Sequence, residues 1–268
     1  YYRINKNPKH LQAVINFANG ILEYDFTVIG SAGCTHELFD HSTVRQANPD
    51  RGDPRAQETC VTVTLMQFFY QLNLITGDPR YMDAFERSLY NGYLGAVNTD
   101  GAIDLTAKEM YPEFTMVPMP FDSYSPLTPG TRGNGIGGFR GFKGDKYYGC
   151  CICIGSAGIG VAMKSSVLTS DDGIVINLFE QGSVTQQLPN NKTVNLDIHT
   201  AYPADGKVKI TVDTDETEEF EILIRNPYWS ENTTLTVNKK NVTASKGYIS
   251  LYRKWSSGDT IEICFDMR

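Results

Sequence analysis

The sequence predicts a chain of two parts, helical up to about residue 170 and an antiparallel β-sandwich from about residue 171 to the end. Three observations predict it. Apolar residues recur at helical spacing through much of the first part. Around Ser170-Asp171-Asp172-Gly173 the period drops to two. Beyond that point short alternating runs are separated by turn signals such as Asp205-Gly206 and Ser257-Gly258-Asp259.

Taken in order, Leu11, Val14, Ile15, Ala18 and Ile21 define the apolar face of a first helix. A second runs from Thr59 to Thr76 on Val61, Leu65, Phe68, Leu72 and Ile75. Gly77 is a natural stop, Asp78 a good N-cap, and Pro79 suits a first helical position. The next helix, predicted to about Val97, carries Met82, Phe85, Leu89 and Tyr93 on one face, which makes an antiparallel helical hairpin with a very short turn. A further helix is predicted after Gly155, through Ala157 to Leu168. The intervening stretch from Ala96 to Gly149 is rich in Gly and Pro and has little period; a connection that long commonly builds a site. In the second part the alternating sets are Ile174/Ile176/Leu178, Val208/Ile210/Val212, Phe220/Ile222/Ile224, Leu235/Val237 and Ile261/Ile263/Phe265.

Composition narrows the functional classes. With 268 residues, 41% hydrophobic and 21% charged, the chain has the make-up of a soluble globular protein with a sizeable core. A net charge of −7 leaves no basic stripe to neutralise phosphates, so a nucleic-acid surface is not expected. No apolar run approaches the ~20 residues of a membrane span. The six cysteines do not fall in a disulfide-scaffold pattern for this length. Asn-x-Ser/Thr strings at Asn191, Asn232 and Asn241 read as chance matches. The chain starts at Tyr1 without an initiator Met or a signal peptide, which reads as part of a longer polypeptide. Neither compartment nor oligomeric state is legible in it.

The residues that carry chemistry are Cys150-Cys151 together with Glu58-Thr59-Cys60. Three thiols and a carboxylate suffice for a closed tetrahedral shell around a thiophilic ion such as zinc, which keeps coordinated sulfur deprotonated. On spacing alone the alternatives stay open: two buried small hydrophobes, a vicinal disulfide, or a metal site. Residues at i and i+2 face one ion only at a helix start or in a loop; Gly149 and Gly155 point to irregular backbone around the cysteine pair. Cys264, in an alternating run, reads as core, and Cys153 as a bystander.

Several of these stretches together resemble glycoside hydrolase family 127, of which family 146 is a near relative. The resemblance rests on Glu58-Thr59-Cys60, the run from Leu72 through Tyr90 with Asn91-Gly92, and Ser123-Tyr124-Ser125-Pro126-Leu127. It continues through Cys150-Cys151, Ile224-Arg225-Asn226-Pro227-Tyr228-Trp229 and Val237-Asn238, and so spans nearly the whole chain. It implies an (α/α)6 barrel followed by a β-sandwich, with residues 1–170 the C-terminal half of the barrel and 171–268 the sandwich. Twelve barrel helices need on the order of 350 residues, more than a typical single domain. About 170 precede the sandwich here, so a fragment lacking the N-terminal half of the barrel is expected.

Characterised members of the family are β-L-arabinofuranosidases that retain anomeric configuration with a zinc-bound cysteine thiolate as nucleophile. Carried over by motif, Glu58, Cys60, Cys150 and Cys151 would hold zinc, and Cys150 would attack the anomeric carbon. Glu37, after Gly30-Ser31-Ala32-Gly33, is the candidate general acid/base, with Asp40 and His41 as substitutes and His36 standing where a small residue is common. Tyr124 and Tyr148, with Tyr147 beside it, would line the pocket for a carbohydrate substrate, an arabinose-containing glycan or oligosaccharide; Arg132 and Arg140 in the Gly-rich loop are candidates for hydroxyl contacts that no motif specifies. Ile152-Cys153-Ile154-Gly155-Ser156 departs from the family's Pro-Asn-type continuation, which marks a divergent subgroup. Two other readings are an inactive carbohydrate-binding or structural relative and a purely structural zinc site.

Overall fold

A computed structural model describes residues 1–33, 37–39, 41, 56–103, 105–110, 112–113, 116–124, 141–142, 146–147 and 150–267. The chain divides into two compact units, residues 1–76 with 84–161 and residues 77–83 with 162–268. Its helices are α1 (Tyr2–Asn5), α2 (Pro8–Gly20), α3 (Thr59–Thr76), α4 (Pro79–Arg87), α5 (Leu105–Met110) and α6 (Cys150–Ser166). Among the described residues none is a helix long and apolar enough to cross a membrane.

Local chemistry accounts for the helix ends. The Asn7 side chain accepts from Lys9 N–H, with Pro8 opening α2. Gly77 takes the left-handed conformation that ends α3 (φ 68°), and Asp78 Oδ1 accepts the Arg80 N–H at the start of α4. The hairpin thus turns where expected, but α4 is not one regular helix to Val97. It widens into a π-helical segment at Ser88–Tyr93. There the chain passes close to two neighbours: Gly92 N–H donates to Ile29 C=O (2.8 Å), and a Cβ at Gly92 would sit 3.1 Å from Thr62 Cγ2. Gly30 (φ 78°) lies against the Ser88 backbone, where a Cβ would approach to 2.4 Å. These two glycines let the 27–33 segment wedge between α3 and the π segment.

The second unit is built on two sheets. Six antiparallel strands run in the order β10 (Lys240–Val242), β9 (Thr234–Val237), β12 (Asp259–Cys264), β7 (Lys207–Thr214), β6 (Thr193–Thr200) and β5 (Gly182–Gln187). Four more run β11 (Gly247–Trp255), β8 (Glu218–Asn226), β4 (Gly173–Ile176) and β3 (Val167–Ser170). The small strands β1 (Gly141–Phe142) and β2 (Lys146–Tyr147) pair in the first part of the chain. The expectation of a wholly antiparallel arrangement needs one correction, because β4 and β8 pair in parallel, Ile174 against Ile222. A second difference is that Val167 and Leu168, expected to end a helix, already belong to β3. Alternation sorts the residues as predicted: Ile174, Ile176, Val208, Ile210, Val212, Phe220, Ile222, Ile224, Ile261 and Ile263 are all buried. Each such aliphatic side chain contributes about 1.5–3 kcal/mol by leaving water.

Arg225 is fully buried among these apolar residues. Its Nε donates to the Asn177 carbonyl (2.7 Å) and its Nη1 to Asp83 Oδ1 (2.6 Å). Tyr248 OH reaches Asn177 Oδ1 at 2.5 Å, so the guanidinium lies inside a polar network rather than against bare hydrocarbon.

Candidate metal centre

Glu58 immediately precedes α3 and Cys60 is its second residue, whereas Cys150 and Cys151 are the first two residues of α6. Both pairs therefore stand at helix N-termini, where i, i+1 and i, i+2 side chains are not yet forced to opposite faces. The irregular backbone expected around the cysteine pair is corrected for Gly155, which lies inside a regular helix; Gly149 falls outside the described residues. The role of Gly155 is packing. A Cβ there would come within 2.7 Å of the Phe121 ring, and one at Gly158 within 2.4 Å of the Tyr93 ring. Tyr93 stacks on Phe121 (centroids 5.6 Å apart) and donates its hydroxyl to the Gly155 carbonyl at 2.8 Å.

The start of α6 is thereby seated on Phe121, and the residues after Phe121 tie it to α3. Thr59 Oγ1 donates to the Asp122 carbonyl (2.6 Å), and Thr59 N–H to the Ser123 carbonyl (2.9 Å). Tyr124 forms an antiparallel bridge with Glu58. The other side is held by the wedge: Gln57 N–H donates to Gly33 C=O (3.0 Å), Thr27 Oγ1 to Gln57 Oε1 (3.1 Å), and Thr62 Oγ1 to Ser31 Oγ (2.7 Å). Gln57 takes the left-handed conformation (φ 55°), a cost of order 1–3 kcal/mol that the surrounding contacts offset.

The outcome is a four-residue cluster. The ligand atoms of Glu58, Cys60, Cys150 and Cys151 all lie within 4.8 Å of one another. Glu58 Oε1 is 3.3 Å from Cys150 Sγ and 3.4 Å from Cys151 Sγ, and Cys60 Sγ lies 3.4 Å from Cys151 Sγ. Cys151 also contacts the Ser123 carbonyl (3.6 Å). Glu58 and Cys151 are buried, Cys60 is half-buried, and Cys150 is exposed.

The electrostatics are those of acidic groups crowded together. Burial above all, then the Cys151 thiolate and the neighbouring Glu37 carboxyl, pushes Glu58 up to about 8. Burial likewise pushes Cys150 up to about 11. Cys60 donates to Cys151, which holds the Cys60 proton tightly and lowers Cys151 to about 6. The influences on these groups are burial, one another and Glu37. Glu58 Oε2 is buried and meets no hydrogen-bond partner among the described residues. A buried carboxylate oxygen without a donor, set among three sulfurs, is a donor set that fits a thiophilic cation.

The other predicted site residues distribute as follows. Glu37 is exposed, lies within hydrogen-bonding reach of Glu58, and lines a cleft of about 420 Å³ with Phe17, Ile21, Phe39, Glu58 and Cys60. Tyr124 is half-buried beside Glu58. His41 pairs with Asp25. Tyr148, His36, Asp40, Arg132 and Arg140 lie outside the described residues, as does the side chain of Tyr147. Cys264 is exposed, against the expectation of a core position, because it occupies an outward-facing position of β12. An absence of C-x-x-C pairs, expected from the sequence, is incorrect, since Cys150 and Cys153 stand at that spacing; Cys153 is nevertheless exposed and outside the cluster.

Comparison with known proteins bears on nearly the whole chain. The family model "Beta-L-arabinofuranosidase, GH127 catalytic domain" matches residues 1–108, and "Beta-L-arabinofuranosidase, GH127 middle domain" matches residues 173–267. A non-reducing end β-L-arabinofuranosidase of Bifidobacterium longum subsp. longum is 26% identical over 259 residues, which is 94% of this chain. Two solved structures share the fold. A GH127 β-L-arabinofuranosidase from Geobacillus stearothermophilus T6 matches with a TM-score of 0.68 at 22% identity, over 92% of this chain and 37% of that one. A GH127 β-arabinofuranosidase matches with a TM-score of 0.74 at 21% identity, over 100% of this chain and 40% of that one.

These matches put the chain in the glycoside hydrolase class. It spans 36% of the length of the curated Bifidobacterium relative. Within the class, it belongs to family 127.

Proposed function

We propose that this chain carries the chemical centre of a retaining glycoside hydrolase acting on β-L-arabinofuranosides, with Cys150 as nucleophile and Glu37 as general acid/base. The observation that carries the reading is the four-residue cluster, in which Cys150 is the exposed cysteine and Glu58 has Glu37 within reach at a cleft that Cys60 also lines. Glu58, Cys60, Cys150 and Cys151 would hold the ion, and zinc suits three sulfurs and one carboxylate. Bound there, zinc supplies the positive charge that keeps the sulfurs deprotonated near neutral pH.

Of the three sulfurs in the cluster Cys150 is the exposed one, so a sugar can approach it while Cys151 stays buried. In the first step a bond forms between Cys150 Sγ and the anomeric carbon as the bond to the leaving oxygen breaks, and Glu37 gives its proton to that oxygen. In the second step Glu37 takes a proton from water, whose oxygen replaces sulfur at the same carbon. Two displacements retain the configuration. Tyr124, next to Glu58, would line the sugar pocket, and Tyr148, two residues before Cys150 in the chain, is a second candidate for contact with the sugar. Residues 1–170 would supply the C-terminal half of an (α/α)6 barrel and 171–268 the sandwich. A purely structural zinc site is disfavoured by the exposure of Cys150.

The test is Cys150→Ser beside Cys60→Ala, with metal content and turnover of an aryl β-L-arabinofuranoside measured on each. The expected result is about one zinc per chain, retained in Cys150→Ser while turnover falls on the order of 10⁴-fold or more, and lost in Cys60→Ala. Undiminished turnover by Cys150→Ser sinks the nucleophile.

A further inference from the structure

Asp25 is a fully buried carboxylate that the reaction above does not use. It ends the π-helical segment Ile21–Asp25, and both its oxygens are taken by one residue. Oδ1 accepts the His41 backbone N–H at 2.9 Å, and Oδ2 accepts from His41 Nδ1 at 2.8 Å. The His41 side chain is 65% exposed against 1% for that of Asp25, so the ring contributes little to the core. His41 also stands in the left-handed region (φ 55°), a bend that lets backbone and ring reach the same carboxylate. Tyr24 meets the ring edge-on at 5.5 Å.

The base of this pairing is firm. Phe26 packs edge-to-face on Phe69 of α3 at 5.5 Å. The Thr27 hydroxyl lies between two acceptors, the Ser31 carbonyl (3.0 Å) and Gln57 Oε1 (3.1 Å), just before the ligand Glu58. The other partner of the pairing, His41, lies four residues after Glu37 in the chain. We propose that Asp25 and His41 form a clasp that fixes the segment carrying Glu37 to the same base that carries Glu58, and so sets the aim of the Glu37 carboxyl. Both are positioning residues; neither touches the reacting atoms. The inference rests on the reading of Glu37 as acid/base.

The experiment uses the metal-loaded full-length protein with Asp25→Asn, His41→Ala and, as reference, Glu37→Gln. Each is assayed for kcat/KM on an alkyl β-L-arabinofuranoside, whose leaving oxygen needs a proton, and on an aryl one with an acidic phenol, which leaves unaided. Glu37→Gln loses about 10²–10⁴-fold on the alkyl substrate and far less on the aryl one. The clasp variants lose about 10- to 100-fold on the alkyl substrate and less than about 3-fold on the aryl one, with metal content unchanged. His41→Ala keeps the buried Asp25 and alters an exposed side chain, so folding is preserved in at least that variant. Equal losses on both substrates, or none, while Glu37→Gln keeps its split, overturn the clasp. If Glu37→Gln shows no split, the acid/base reading fails and the clasp falls with it.

Discussion

Arg225 and Glu58 are both buried ionisable side chains, and their surroundings treat them in opposite ways. The Arg225 guanidinium meets the Asp83 carboxylate and the Asn177 carbonyl inside its own unit. Glu58 meets two thiols and the Glu37 carboxyl, while its Oε2 finds no donor. A buried charge answered by its own fold is part of the scaffold. One left among further acidic groups is stable only when protonated or when a cation arrives.

The largest effect that separates the two is on metal affinity as a function of pH. Without metal, Glu58 at about 8, Cys150 at about 11 and the still higher Cys60 all hold protons at neutral pH, and a cation must displace them. Affinity therefore rises with pH and falls as pH drops, by about tenfold per unit for each proton displaced. Up to three protons are in play near pH 7; Cys151, at about 6, adds its own only below that pH. Competition titration with a chromogenic chelator from pH 6 to 8 reads the slope. A flat profile would mean the four groups do not ligate together. Glu58→Gln should lower the affinity by more than about 100-fold, since even residues that merely support ligands are worth 10–100-fold.

Arg225→Ala comes next and moves a different observable. It removes the fully buried guanidinium that meets the Asp83 carboxylate and the Asn177 carbonyl, at a cost of about 3–5 kcal/mol in unfolding free energy. Denaturant melts should register that loss while metal per folded chain stays constant. If Arg225→Ala also emptied the metal site, the contrast between scaffold and site would collapse.

How much of this was legible in the sequence follows the range of the interactions. The Gly77-Asp78-Pro79 turn is local chemistry, and the alternating strand sets report burial directly, so both could be read from the chain. The parallel pairing of β4 with β8 could not, because an alternating run does not name its partner. The cluster joins Glu58 to residues 92 and 93 positions away. Composition and spacing left it one option among three, and the motif resemblance chose between them. Gly155 points in sequence to irregular backbone and Gly158 gives no signal, because a glycine that admits a facing aromatic ring looks in sequence like one that breaks a helix.

The glycines of α6 give the smallest effect. Gly158→Ala places a Cβ where the Tyr93 ring stands, 2.4 Å away, and Tyr93 holds both Phe121 and the Gly155 carbonyl. The overpacking should cost about 1–3 kcal/mol. Because Phe121 leads into the residues that contact Thr59 and Cys151, metal affinity should fall although no ligand is touched. Gly160 lies two residues further along the same helix with nothing within 4 Å of its added Cβ. Gly160→Ala should therefore stabilise by about 0.5–1 kcal/mol through helix propensity alone and leave metal affinity unchanged. Thermal melts and chelator competition on the two variants compare one helix at two glycines. Equal behaviour would mean that the seat of α6 on Phe121 and Tyr93 has no part in shaping the cluster.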